Sequence, residues 1–112
     1  MESKMAITMS QTPEEVSVNV TGDLDLTTVG AFQANVEEAF ELRGGRKLVV
    51  DLRKTNYIDS AGLEQLLVAN KKLFADSDRL LVRVAHGRQP QTVLAVTGFS
   101  AVMDVESSDE AQ

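Results

Sequence analysis

The chain has no cysteine and no tryptophan, and only 4% of its 112 residues are aromatic. Without thiols there is no disulfide framework, no thiolate nucleophile and no cysteine-based zinc site. Sparse aromatics leave no stacking platform for single-stranded nucleic acid or sugars. Long apolar runs are missing too: nothing approaches the roughly 18–20 apolar residues that a membrane span needs. The opening MESKMAITMSQTPEEV lacks the uninterrupted apolar core of a signal peptide. The expectation is a cytoplasmic protein. Positive charge is also short, with 11 Lys and Arg against 17 Asp and Glu and a net charge of −6. Phosphate backbones repel such a surface. The one basic cluster, Arg43, Arg46 and Lys47, reads as a solvated loop, so no nucleic-acid partner is expected.

What is present suits one globular domain over residues 1–112, ordered from about 4 to 106 with a polar tail from Ser107 to Gln112. Apolar residues make up 43% and charged residues 25%. MAITMSQ alternates loosely through Ile7 and Met9. After the turn TPEE, VSVNVTG alternates cleanly, with Val16, Val18 and Val20 on one side. The two runs read as a hairpin with one face on a core. Asp25 or Thr27 is placed to cap a helix whose stripe is Val29, Phe32, Val36, Ala39 and Phe40. Gly44 and Gly45 stop it. KLVVDL is apolar on both faces except at Asp51, the pattern of a central strand covered on both sides.

A second helix is predicted from about Ala61 to Ala75, with Leu63, Leu66, Leu67, Asn70, Leu73 and Phe74 inward and Lys71 and Lys72 outward. A strand (RLLVRVA), a short helix begun at Pro90 and closed by Gly98, and an edge strand (AVMDVE) follow. The order β-β-α-β-α-β-α-β implies an α/β fold. Its mixed five-stranded sheet has parallel crossovers and an N-terminal antiparallel pair. The expected core is Val16, Val18, Val20, Phe32, Val36, Val50, Leu52, Leu66 and Phe74.

In open α/β sheets, sites form beyond the carboxyl ends of parallel strands. NYIDSAGLEQLL, Asn56 to Leu67, is such a strand-to-helix turn. It sets Ser60 at or beside the helix N-cap, where plain capping by Asp59 or Ser60 is one reading. Two details point further. Gly62 in the first turn sacrifices up to about 1 kcal/mol of helix propensity, which makes sense if another backbone approaches closely or the turn is sharp. Ser60 also leads into free N–H groups at a positive dipole end, a cradle that tolerates a phosphoserine. Other chemistries lack their parts. No G-x-S-x-G surrounds Ser60. The single histidine, His86, has no second His or Cys to complete a metal site. Asp23 and Asp25 alone are turn residues more than calcium ligands. No cofactor, metal or catalytic activity is expected.

Three stretches carry a resemblance. VVDLRKTNYIDSAGLEQLL resembles the signature of the STAS family, the bacterial anti-sigma factor antagonists and their relatives, in which a strand ends in an Asp-Ser-x-Gly-Leu loop. VTGDLDLTT and VLAVTGFSAVMDV are similar to that family's early and late segments, in the same order. The resemblance implies a protein that binds a serine-kinase anti-sigma factor and frees the sigma factor. It implies phosphorylation at Ser60, which ends binding, and reversal by a metal-dependent phosphatase. Asp59 and Gly62 match the motif positions around the serine, with Ala61 between them, and Asp23 and Asp25 match the early turn that joins the partner surface. Glu64 stands where the motif often has a small residue, so its charge bears on partner choice. The family also supplies partner subunits to lipid-transporting ABC systems and to stress-sensing assemblies.

Overall fold

Alternating valines in one strand and the apolar run Leu48 to Val50 with Leu52 in the next build the two strands around which the domain is organised. The structure, a computed structural model, describes residues 5–109. Strand β1 is Ala6–Gln11, β2 is Glu15–Leu24 and β3 is Lys47–Ile58; β4 (Leu81–Ala85) and β5 (Asp104–Ser108) complete the sheet. Between them lie helices α1 (Val29–Leu42), α2 (Ser60–Phe74) and α3 (Gln89–Val96). Spatial order is β1-β2-β3-β4-β5, with β1 antiparallel to β2 and every other pair parallel. The α/β fold and the element order agree with the sequence reading.

Lateral register makes the core. Val18, Val50 and Val82 are neighbours across three strands, and all are fully buried. Phe32, Val36 and Ala39 of α1, Leu66, Ala69 and Leu73 of α2, and Leu94 of α3 pack in the same cluster. Each large side chain buried there contributes about 1.5–3 kcal/mol relative to exposure.

The opposite face carries no helix among the described residues, which corrects the expectation that KLVVDL is covered on both sides. Crossovers that advance one strand at a time with one hand keep their helices on one face. The far face is closed by ions instead. Asn19, Asp51, Arg83 and Glu106 form one lateral row. Arg83 grips Glu15 with two bonds of 2.8 and 3.0 Å and reaches Glu106 at 3.1 Å. Asp51 accepts from Arg53 at 2.7 Å. Val49 on this face is nonetheless fully buried.

Four other expectations need correction. Phe74 is 72% exposed, because the buried positions of α2 are Gly62, Leu66, Ala69, Asn70 and Leu73, and Phe74 lies one further step around the helix. Neither Asp25 nor Thr27 caps α1: its N-cap is Thr28, which makes no side-chain cap bond. Arg43 is not solvated but 5% exposed, donating to Asp78 (2.9 Å), Asp76 (3.1 Å) and the Arg46 carbonyl (2.7 Å). Ser107 and Ser108 belong to β5 and not to a tail; the rest of the predicted tail beyond Asp109 lies outside the described residues. Asn70, which interrupts the apolar stripe, has a structural reason. It donates to the Val102 carbonyl and accepts from the Leu80 N–H, at 2.9 and 2.8 Å.

Candidate functional site

The central strand outruns its neighbour. β3 pairs with β4 only over Val49–Asp51, yet continues to Ile58. On its other side it stays beside β2, with Ile58 opposite Leu24. The chain then turns at Asp59 into α2, and three contacts fix that turn. The Asp59 N–H donates to the Leu24 carbonyl at 3.2 Å. Asp59 Oδ1 accepts from the Gly62 N–H and Oδ2 from the Leu26 N–H, each at 3.1 Å. One carboxylate therefore caps the helix and holds the turn after β2. The cap is Asp59, and Ser60 is the first helical residue.

Ser60 is exposed, and its hydroxyl has no hydrogen-bond partner among the described residues. Asp59 already takes the Gly62 N–H, and the first turn of α2 is the positive dipole end of the helix, which favours a negative group on Ser60. Gly62 is required by space. A Cβ there would stand 2.8 Å from the Leu24 carbonyl oxygen and 2.7 Å from Ile58 Cγ1. The close backbone approach inferred from sequence is that of β2.

Ser60, Ala61, Leu63, Glu64, Leu67 and Phe99 line an open cleft of about 460 Å³. Asp23 is exposed at the end of β2, one residue before the strand's last position. The Asp25 carboxylate turns into its own loop, accepting from the Thr27 hydroxyl (2.6 Å) and N–H (2.9 Å). The Thr27 hydroxyl bond leads the effects that hold that carboxyl below its ordinary range. Gly62 is buried beneath the turn, and Ala61 is half-buried beside it. Thus Asp59, Ser60, Ala61, Gly62 and Glu64 are brought together with the turn that follows Asp23. His86 makes its side-chain contact elsewhere, its Nδ1 lying 3.2 Å from Gln91 Nε2.

Three neighbours escaped sequence reasoning. Leu26, 75% exposed, shares the parity of buried Leu24 and so reads as interior. Phe99 lies in the late segment with no periodic signal. Gln89 sits just before Pro90, and its side-chain amide contacts Ile58 at both backbone groups. A polar residue at the head of a helix was the available signal.

A family model described as "Mlab, STAS domain" matches residues 7–104. Among solved structures, the chain is similar to an anti-sigma factor antagonist from Mycobacterium paratuberculosis, with 18% identity and a TM-score of 0.80 over 92% of this chain and 86% of that one. It is similar to the anti-sigma factor antagonist SpoIIAA in its unphosphorylated form, at 20% identity and a TM-score of 0.67 over 95% and 90%. The phosphorylated form of Bacillus SpoIIAA gives 19% identity and a TM-score of 0.68 over 94% and 93%. At these identities the likeness is one of fold.

Proposed function

We propose, from the premise that this chain belongs to the STAS domain family, that it is an anti-sigma factor antagonist switched by phosphorylation of Ser60. The observation that carries the reading is an exposed, unbonded hydroxyl at the first position of α2, beside a fully engaged Asp59. No base is hydrogen-bonded to that hydroxyl among the described residues, which suits a substrate of another enzyme and not a catalyst. The unphosphorylated form binds a serine-kinase anti-sigma factor and releases the sigma factor. A metal-dependent phosphatase resets the phosphorylated form.

The switch is electrostatic. A phosphate adds about −1.5 to −2 charges next to Asp59 and within one turn of Glu64. The helix N-terminus receives it without refolding the domain. At the partner surface the same charge is buried unpaired, which costs about 2–5 kcal/mol, or roughly 30-fold to several thousand-fold in affinity. The surface comprises Asp23, Ser60, Ala61 and Glu64 directly, with Asp25, Asp59 and Gly62 shaping the backbone beneath.

Incubation with candidate serine kinases and Mg-ATP, followed by mass mapping, tests the acceptor: phosphate is expected on Ser60, and phosphate confined to Ser77, Ser107 or Ser108 overturns it. Ser60→Ala should bind the kinase and resist switching off. Ser60→Asp should bind weakly with a native circular dichroism spectrum and melt. If Ser60→Asp binds as tightly as wild type, the switch is wrong. Capture of an ABC-transporter ATPase, insensitive to either substitution, would instead establish the family's transporter role.

A further inference from the structure

We propose that Gln89 is a positioning residue for Ser60, a proposal that rests on reading Ser60 as the modified residue. β3 loses its β4 neighbour after Asp51, so the strand's final residues face an open edge on that side. In a parallel ladder, the N–H and C=O of one residue point to the same neighbour. Asp59 N–H is bonded toward β2, at Leu24. The backbone groups of Ile58 therefore point the other way, where a strand is missing.

Gln89 replaces that strand. Its Oε1 accepts from the Ile58 N–H at 2.9 Å, and its Nε2 donates to the Ile58 carbonyl at 3.0 Å. Only one orientation of the amide satisfies both bonds, and only a side chain with one donor and one acceptor at this length does so. The chain around Gln89 is itself anchored: Arg88 donates to Asn56 Oδ1 at 2.7 Å, and Pro90 behind it is buried in the first turn of α3. Ile58 is two residues before Ser60, with Asp59 between. The turn is thus held from the β2 side by Leu24 and Leu26, and from the α3 side by Gln89. With both arms in place the serine is presented in one geometry, and the kinase need not order the loop. Removing the α3 arm leaves the Ile58 groups unpaired at an open edge and loosens the hinge from which Ser60 projects.

The test uses the whole chain and two variants. Gln89→Met keeps the length and removes both polar groups; Gln89→Glu keeps an acceptor for the Ile58 N–H but, ionised, has no donor for its carbonyl. In Gln89→Met, amide exchange at Ile58 measured by NMR should speed up roughly five- to tenfold, the scale of one lost hydrogen bond, with Val18 and Val50 unchanged. In Gln89→Glu, Ile58 exchange should stay within about twofold of wild type, a difference that a packing role would not produce. With a kinase that modifies wild-type Ser60, both variants should raise KM severalfold and leave kcat nearly unchanged. Unchanged Ile58 exchange in Gln89→Met overturns the proposal. So does faster exchange spread evenly over the sheet in both variants. A wild-type chain that no candidate kinase modifies at Ser60 sinks the functional reading instead, and the exchange data then still judge the clamp.

Discussion

The Leu24 carbonyl oxygen lies 2.8 Å from the point where a Cβ on Gly62 would stand. The first turn of α2 is thus seated on the backbone of β2, with no room for a methyl group between them. An alanine in an ordinary helix would gain up to about 1 kcal/mol over glycine. Here Gly62→Ala should lose about 1–3 kcal/mol, the range for overpacking a filled site. Urea denaturation of the variant decides by sign alone: a more stable protein would mean that β2 and α2 are not in contact at this point.

Asp59 is predicted to be more than a helix cap. As caps, Asn and Asp are about equal. But Asp59 uses one oxygen for Gly62 and the other for Leu26, and an asparagine has only one acceptor. Asp59→Asn should therefore cost about 1 kcal/mol, the worth of one lost hydrogen bond. Asp59→Ala should cost more. If Asp59→Asn melts with wild type, the bond to Leu26 contributes nothing.

Ser77 closes α2 with a left-handed backbone, φ 61°, where glycine is the usual residue. Asp76 and Asp78 on either side both donate their N–H to Leu73 O, so the turn is held in that shape. Ser77→Gly should stabilise the domain by roughly 0.5–1 kcal/mol, since left-handed backbone is disfavoured in serine. Thermal melts read the result, and a destabilised variant would count against the turn geometry.

The ion-closed face of the sheet predicts an acid limb. The Arg83 hydrogen bonds hold the Glu15 carboxyl below its ordinary 4.5. Burial pushes Asp51 up, but the Arg53 bonds outweigh it and leave that carboxyl below its ordinary 3.8. Lowered native values mean that the unfolded chain binds protons first. The contribution is therefore complete above the ordinary values and drains away as pH falls through them toward the native ones. Arg83→Met should be less stable than wild type at pH 7, with the gap narrowing toward about pH 3. Denaturation curves across that range check it, and a gap independent of pH would assign the loss to packing.

Much of this was legible because the chain's periodicities are local. Val16, Val18 and Val20 announce a one-sided strand, and the glycine at 62 announces a close backbone without naming it. Where expectation failed, the deciding partner was far away in sequence. Arg43 looks solvated until Asp76 and Asp78 arrive 33 and 35 residues later. KLVVDL looks doubly covered because a run of apolar residues cannot report that its second cover is a layer of paired side chains. Phe74 joined the stripe by spacing, but the helix turns a slightly different edge inward, and one residue is about 100° of rotation. At the site, the serine and its motif were readable. The Leu26 bond and the Gln89 clamp were not, since both join residues about 30 positions apart in sequence at the places where strands end.

The strands lie side by side in the order in which the chain is written. A polypeptide emerging from its N-terminus can therefore add each strand to one already in place, with no edge held open for a late insertion. Every bond that fixes the serine turn from the β2 side joins residues between Leu24 and Leu63. The residue that closes the other side, Gln89, belongs to a later stretch of synthesis. During vectorial growth the switch loop is thus assembled on one flank before its second flank exists.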